Sequence, residues 1–458
     1  MPNCTADGMT FGRLGRRVIE ANFQGGAISS DGGVMLLRQL DRRLGLSKAV
    51  ARALSDPRDP DRITHPLQDL IAQRLYGLWC GYEDLNDHDR LRHDPLLQTA
   101  VGKVTELASS PTLSRLETRA SRADLVALNR VLIEPFIASQ PRAPRELILD
   151  IDASDVPLHG DQELTQFHGY YDHYCYLPLY VFCGQALLTC LLRPSRIDGA
   201  KPSAAVIKRL VTRLRQAWPT VRIIVRGDSG FCRQRLLRGC ERHDDGYVIG
   251  VARNARLHKA VAAWEDELKA AFAETGLKQR SIHEFRYAAD AWNIERRLIT
   301  RLEFGAQGTN PRVVVTNLDF PADALYDRLY CPRGEADPFD GIEWERKPRR
   351  GEPQGGGEHN RIKEAQLDLF GTRASCHRFL ANGLRLMFAA LAYTLMQRLR
   401  ELALAGTELA RATAATIRVR LLKIGASVLR NTRRVRILLA SHHPQRETFL
   451  IAVRALAP

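Results

Sequence analysis

Several features that mark secreted or membrane proteins are missing from this sequence of 458 residues. Its nine cysteines form no CxxC pair and are odd in number, which favours reduced thiols over a disulfide framework. The longest apolar run, LRLMFAALAYTLM at 384–396, is shorter than the roughly 20 residues of a membrane span and contains Arg385. The N-terminus lacks the basic and apolar regions of a signal peptide. We therefore expect a cytoplasmic protein without a membrane partner.

Acidic residues are missing from residues 409–445, although the same stretch is rich in basic ones. The basic residues there are Arg411, Arg418, Arg420, Lys423, Arg430, Arg433, Arg434 and Arg436. The whole chain carries a net charge of +15. Such a surplus favours binding to a polyanion, because each neutralised phosphate releases condensed counterions. This C-terminal stretch is therefore expected to contact phosphates. The alternative is a basic surface that only keeps the protein soluble.

The pattern of apolar residues changes along the chain. The first 140 residues read as mostly helical, with a Ser/Asp cap before a helix that Gly45 closes. After PRAP at 141–144, short apolar runs such as ELILDID and VRIIVRGDSGF predict strands separated by helical crossovers. Residues 254–320 mix helix-like and strand-like parts, and residues 373–402 predict a long helix. The fold class is therefore α/β, with a mixed sheet.

Two apolar strands end in acidic residues. LDIDASD contains Asp150, Asp152 and Asp155, and VRGDSGF contains Asp228. Buried carboxylates are costly unless they are paired or bind a metal, and open α/β sheets place ligands at the carboxyl ends of their strands. Mg²⁺ prefers such oxygen ligands, and two ions could stabilise both oxygens of a phosphodiester exchange. The alternatives are turn-forming or capping aspartates, and an ion pair between Arg226 and Asp228.

Three other motifs are weaker candidates. NDHDRLRHD at 86–94 matches no closed zinc spacing and is better explained as a polar loop. FHGYYDHYC at 167–175 contains His168, Asp172, His173 and Cys175, but its tyrosines favour a nucleic-acid-facing or packing surface over zinc. The glycines at 355–357 lack the Lys-Ser/Thr pair of a phosphate loop, so they read as a linker.

Four long phrases resemble a known family across nearly the whole chain. They are FQGGAISSDGGVMLLRQLD, LDIDASDVPLHGDQELTQFHGYYDHYCYLPLYVFCG, RGDSGF and NRIKEAQLDLFGTRASCHRF. The family is that of the DDE transposases of bacterial insertion sequences, in the group with a Tyr, Arg, Glu, Lys signature, and the phrases are similar to the insertion-sequence family numbered 1380.

The resemblance implies an RNase H-like mixed-sheet catalytic core with a helical N-terminal region, a β-rich insertion and a basic C-terminal region. The implied parts are an N-terminal region for DNA-end binding (1–140), the first part of the core (141–253), the β-rich insertion (254–325), the rest of the core with its closing helix (326–402) and the basic region (403–458). Residues 337–357 are expected to be an inserted loop.

The resemblance also assigns the three metal-binding carboxylates. Asp152 matches the first aspartate, because the family tends to place Ser or Thr two positions later, as Ser154 stands here. Asp228 matches the second, and Asp150 is the competing choice for the first. Two Mg²⁺ ions, with Mn²⁺ as a substitute, are the implied cofactors.

The third carboxylate is where this sequence departs from the family pattern. The pattern is Tyr, two residues, Arg, three residues, Glu and a later Lys, and YCPRGEA provides Tyr330 and Arg333. Asp337 stands at the Glu position of the pattern. If residues 337–357 are left out of the alignment as an insertion, Glu358 takes that position. Alignment backwards from NRIKE places His359 at the Glu position instead. The two alignments differ by one residue, which is about 100° around a helix. Glu358 is the preferred candidate, and Asp337 and Glu364 remain alternatives.

The resemblance implies that Tyr330, Arg333 and Lys363 contact the phosphates of the transposon end. The implied partners are terminal inverted repeats and target DNA, both double-stranded, with a homodimer in the DNA complex at the bacterial nucleoid. The implied chemistry is hydrolytic nicking followed by attack of the freed 3′-OH on target DNA. Two rival functions are a DNA-binding protein that no longer cuts and an RNase H-like nuclease without strand transfer.

Overall fold

Residues 8–332 and 361–457 are described by a computed structural model of the chain. They divide into two units, Met1–Glu117 with Leu395–Pro458, and Thr118–Thr394. The assignment of particular functions to regions of the chain stays a prediction.

The strands are β1 Met9–Leu14, β2 Arg17–Ala21, β3 Ile28–Ser29, β4 Glu146–Ala153, β5 Val156–Pro157, β6 Gln166–His168, β7 His173–Tyr176, β8 Leu179–Cys183, β9 Ala186–Leu191, β10 Arg222–Gly227, β11 Gly246–Val251, β12 Gln279–Tyr287, β13 Arg296–Gly305, β14 Gly308–Thr309, β15 Arg312–Thr316, β16 Ala426–Arg430 and β17 Val435–Leu439.

The helices are α1 Val34–Leu44, α2 Leu46–Ala53, α3 Leu67–Cys80, α4 His88–Leu91, α5 Pro95–Val101, α6 Ser110–Thr118, α7 Arg122–Ser139, α8 Ser203–Ala217, α9 Gln234–Arg242, α10 Ala255–Thr275, α11 Ala322–Ala324, α12 Arg361–Lys363, α13 Phe379–Ala403, α14 Ala414–Ile417 and α15 Arg446–Ala455. Short 3₁₀ turns span Pro60–Arg62 and Ser229–Phe231, and π-helical turns span Leu325–Tyr330, Glu364–Asp368 and Arg418–Leu422.

The second unit is built on one mixed sheet, whose strand order is β12-β13-β15-β11-β10-β4-β8-β9. Strands β4, β10 and β11 are parallel, whereas β8 and β9 are antiparallel. The inner order is β9-β8-β4-β10-β11, with helices α8 and α9 as crossovers, which is an α/β arrangement around a mixed sheet. The α/β fold class predicted from the sequence is therefore confirmed. Strands β12, β13 and β15 continue this sheet beyond β11.

The two faces of this sheet follow from the alternation of side chains along its strands. Leu147, Leu149 and Ile151 of β4 pack into a cluster with apolar residues of α8 and α9. Ile148 lies in a second cluster on the other face, together with residues of the turn Leu325–Tyr330. Asp150 and Asp152 continue the alternation of Ile148, so both belong to this second face.

In the first unit, the helix predicted to begin at a Ser/Asp cap begins differently. The N-cap of α1 is Gly33, which provides no side-chain hydrogen bond. Asp31 instead binds the Lys423 ammonium at 2.6 Å and accepts a hydrogen bond from the Tyr82 hydroxyl at 2.8 Å. Ser29 caps nothing on the helix, because its hydroxyl accepts from the Asp31 N–H. The acid is thus used to join distant segments of the unit, while Gly45 closes α1 as predicted.

One helix in the described part of the chain, α13, is long and apolar enough to cross a bilayer by length and composition. Of its most apolar window, 83% is buried inside the protein. The same composition is typical of a core helix, which buries apolar residues on all sides.

Candidate active site

Two aspartates lie at the carboxyl ends of neighbouring parallel strands. Strands β4 and β10 pair in register up to Ile151 and Gly227, and Asp152 and Asp228 each follow directly. Backbone torsions at Asp228 remain extended (φ −78°, ψ −176°), so its side chain keeps the alternation of β10. Both side chains belong to the same face of the sheet, both are exposed, and paired strands are about 4.8 Å apart. The structure thus brings together the two aspartates predicted from the sequence.

The position of Asp228 is held by the turn that it starts. Its Oδ1 accepts a hydrogen bond from the Gly230 N–H at 2.8 Å and so caps the turn Ser229–Phe231. Phe231 is buried in the apolar cluster on the opposite face, which anchors this turn to the sheet. The carboxylate is consequently fixed at the strand end while it faces solvent.

Asp150, the competing first aspartate, is occupied by arginines. It is buried, and Arg226 donates to both of its oxygens, through Nε to Oδ1 and through Nη2 to Oδ2 at 2.7 Å. Arg361 adds a second bond to the same oxygen at 2.9 Å. Burial acts to raise the pKa of Asp150, but the hydrogen bonds and charges of the two arginines outweigh it and lower the pKa. The alternative in which Arg226 pairs with Asp228 is therefore wrong, since Arg226 pairs with Asp150.

The same arginines hold the two chain segments that approach the sheet edge. Arg226 donates to the Leu329 carbonyl at 2.6 Å, at the end of the turn Leu325–Tyr330. Arg361 donates to the Gly184 carbonyl and stacks over the Phe182 ring at 4.9 Å. Asp150 is thus a structural anchor that ties β4 to the segments ending at 332 and starting at 361.

Tyr330 lies close to Asp228. A Cβ atom built on Gly250 of β11 would lie 2.6 Å from the Tyr330 hydroxyl oxygen, 2.9 Å from the Ser229 nitrogen and 3.2 Å from the Asp228 carbonyl carbon. The absence of a side chain at Gly250 therefore makes room for the tyrosine beside the end of β10. This predicted DNA-contacting residue is half-buried at the same sheet edge as the aspartates.

The segment after 361 packs along the end of β4. Gln366 accepts a hydrogen bond from the Ser154 hydroxyl and donates to the Asp155 carbonyl, both at 3.1 Å. Lys363, between Arg361 and Gln366, is exposed, whereas Glu364 is half-buried. Sequence reasoning did not identify Arg361 or Gln366, although an arginine next to apolar residues in NRIKEAQ was a signal for a buried partner.

Four predicted residues lie outside the described residues: Arg333, Asp337, Glu358 and His359. In residues 8–332 and 361–457, no group of three or more His, Cys, Asp or Glu side chains is placed to hold a metal ion. Asp152 and Asp228 nevertheless fit a hard divalent cation, because both are exposed carboxylates and Mg²⁺ takes few protein oxygens beside waters and phosphate oxygens.

A group of aromatic side chains lies on the hairpin of β6 and β7, where Tyr171 is close enough to Asp152 and Asp155 for their charges to affect its pKa. Phe167, Tyr170 and Tyr174 are each more than half exposed, in or beside the hairpin of β6 and β7. Burial, with added effects of the Asp155 and Asp152 charges, raises the pKa of Tyr171 to about 12. His173, a weak zinc candidate from the sequence, forms a hydrogen bond between its Nε2 and the Asp155 carboxylate at 2.8 Å.

Comparisons with known proteins place this geometry in context. The model of the family described as transposase DDE domain group 1 matches residues 11–339 and 353–458. Among solved structures, a cryo-EM structure of the piggyBac transposase synaptic complex with hairpin DNA is similar, with a TM-score of 0.40 and 13% identity over 86% of this chain and 80% of that chain. A search of curated proteins finds no match. Since the family model matches nearly the whole sequence, the chain belongs to the transposase DDE domain group 1 family.

Proposed function

We propose that this protein binds the terminal inverted repeats of a bacterial insertion sequence and catalyses metal-dependent cleavage and strand transfer. The observation that carries the proposal is the placement of Asp152 and Asp228 side by side at the carboxyl ends of β4 and β10. Family membership and the net charge of +15 support a DNA substrate. The site of action would be the nucleoid in the cytoplasm, with a homodimer pairing the two ends.

Asp152 and Asp228 would hold two divalent ions, with Glu358 as the third carboxylate. When bound, the ions would lower the pKa of the attacking water and stabilise the negative charge that develops on the phosphate in the transition state. Residues 340–352, which the family model leaves unmatched, fall inside the segment 337–357, and this supports an insertion in that segment.

The chain's own residues would position the DNA. Tyr330 beside Asp228, the exposed Lys363 and Arg333 would contact phosphates of the element end, and arginine suits bidentate contact. The exposed rings of Phe167, Tyr170 and Tyr174 provide flat apolar surface on the hairpin of β6 and β7, on which bases can stack. Asp150, Arg226 and Arg361 would keep the sheet edge and its neighbouring segments in place.

The test is incubation of the purified protein with labelled duplexes that carry the flanking inverted repeats, a target plasmid and Mg²⁺. We expect nicked ends and joined products. Nicks without joined products would identify a nuclease without strand transfer, and binding without nicks would identify a DNA-binding protein that no longer cuts.

Asp228→Asn is the informative variant, because an asparagine oxygen can still accept the hydrogen bond from the Gly230 N–H. We expect cleavage to fall by more than about a hundredfold, since loss of even an indirect metal partner typically costs about ten- to a hundredfold. End binding should persist in a gel-shift assay. Asp266→Asn, on the exposed side of α10, is the matched control and should cleave normally. Normal cleavage by Asp228→Asn would remove Asp228 from the site.

A further inference from the structure

Strands β1 and β2 form a two-stranded sheet of their own. All six residues of β1 and all five of β2 are exposed. The two-residue connection Gly15–Arg16 joins them. Gly15, the first central residue of this turn, has a φ of +62°, as in a type II′ hairpin turn. Isolated hairpins of two strands are only marginally stable in water. A ribbon with two exposed faces is therefore a surface that gains stability from a partner.

The charges of the ribbon are concentrated at its tip and divided between its faces. Arg13 pairs with Val18, and Leu14 pairs with Arg17. Neighbouring pairs project to opposite faces, so Arg13 lies on one face and Arg17 on the other. Arg16 stands in the turn between them. The sole acidic residue in the two strands, Glu20, pairs with Thr10 away from the tip.

We infer that this hairpin, defined by residues 9–21, enters the major groove of double-stranded DNA. The inference rests on the proposed function for its partner. A major groove about 12 Å wide admits a two-stranded ribbon, and its walls are phosphate backbones on both sides. A ribbon that enters tip first, with its two faces toward the two walls, presents Arg13 to one wall and Arg17 to the other. Arg16 then reaches base edges, where arginine recognises guanine O6 and N7.

Leu14 complements the arginines. Its side chain is 71% exposed at the end of β1, where an apolar group can contact a thymine methyl in the same groove. The alternative occupant, a second copy of the chain docked on an apolar face, fits less well. Such a contact would bury Arg13 or Arg17 against an apolar surface, and an unpaired buried charge is strongly unfavourable.

The test compares two triple variants of the full-length protein with the same change in charge. One carries Arg13→Ala, Arg16→Ala and Arg17→Ala, and the control carries Arg52→Ala, Arg90→Ala and Arg142→Ala, all three exposed elsewhere. Binding to a fluorescent duplex of mixed sequence is measured over a salt series. Two lost phosphate contacts should make the log–log salt slope shallower by about 1.8 and weaken binding roughly thirtyfold at about 0.15 M salt. Melting curves of the three proteins should coincide.

A second measurement locates the groove. Dimethyl sulfate methylates guanine N7, which lies in the major groove, so the wild-type protein and the control should protect guanines that the hairpin variant leaves reactive. Equal slopes and equal protection for both triple variants would overturn the inference while leaving the proposed function intact. Loss of self-association by the hairpin variant, with unchanged DNA binding, would overturn it in favour of a second copy. Absence of DNA binding by the wild-type protein would instead overturn the proposed function itself.

Discussion

Asp150 and Asp152 stand two residues apart on one strand and one face, yet their surroundings differ. Asp150 is enclosed by Arg226 and Arg361, whereas Asp152 lies one step further toward the strand end and is exposed. The inner acid therefore has a structural role, and the outer one faces solvent. This division follows from depth in the sheet, because a buried carboxylate is costly unless cations pair with it, whereas solvent stabilises an exposed one.

Replacement of the inner acid tests this division. Asp150→Asn leaves two buried guanidiniums without their anion, and breaking a buried ion pair typically costs about 3–5 kcal/mol. We expect the free energy of unfolding of the second unit to fall by that amount in urea titrations. Asp266→Asn, at an exposed position of α10, is the control and should change this free energy little. An unchanged free energy of unfolding in Asp150→Asn would show that the two arginines do not depend on this carboxylate.

At the scale of elements, the start of α1 depends on close backbone packing. Gly32 donates to the Ile424 carbonyl at 2.7 Å, and Gly33 donates to the Leu422 carbonyl at 3.0 Å. A Cβ atom on Gly33 would lie 2.2 Å from the Leu421 carbonyl oxygen. The glycines of SSDGG are thus required because the backbone of the turn Arg418–Leu422 comes too close for any side chain.

Gly33→Ala should therefore separate α1 from the turn Arg418–Leu422. We expect a loss of about 3 kcal/mol in the free energy of unfolding of the first unit, at the upper end of the usual cost of overpacking. Gly425→Ala is the control from the same unit, since a Cβ there meets open space. Thermal and urea unfolding followed by circular dichroism would measure both. Equal stability of the two variants would contradict the close approach.

The sequence pattern predicted elements well where periodicity was strong. The apolar spacing and Gly45 located α1, and the β-rich runs before Asp152 and Asp228 located β4 and β10. It assigned local partners less well. Local pattern suggests a Ser/Asp helix cap and a pair between Arg226 and Asp228, but Asp31 binds Lys423 and Arg226 binds Asp150, and both partners are distant in sequence. Lys423, the partner of Asp31, comes from the other end of the chain, and local pattern cannot reveal such a contact.

At the scale of the whole molecule, stability should depend on pH through a buried histidine. His88 is fully buried, and its Nδ1 accepts a hydrogen bond from the Gln73 amide at 3.2 Å. Its Nε2 has no hydrogen-bond partner among the described residues. Burial, assisted by the Arg74 charge, lowers the pKa of His88 from 6.5 to about 3. The ring is therefore neutral in the folded protein, with its proton on Nε2.

Because the folded pKa lies below the unfolded one, the unfolded state binds the proton first as pH falls. The stability contribution of the neutral ring is complete above pH 6.5 and is lost as pH falls from 6.5 toward 3. From about pH 7 to about pH 5 the free energy of unfolding should drop by about 2 kcal/mol. His88→Gln should remove this slope in unfolding titrations, and His442→Gln, which changes an exposed ring, should retain it. A slope that persists in His88→Gln would assign the effect to other groups.

The sequence by itself determined the alternation of β4 and β10, the acids at their ends and the basic character of the chain, because these depend on residues close together in sequence and on composition. Only the tertiary structure decided which acid is an anchor and which faces solvent. The second arginine on Asp150 comes from 211 residues further along the chain, and its approach depends on how the sheet and the following helices pack. The neighbouring positions of Asp152 and Asp228 likewise needed the parallel register of two strands that are separated along the chain by five further strands and a helix.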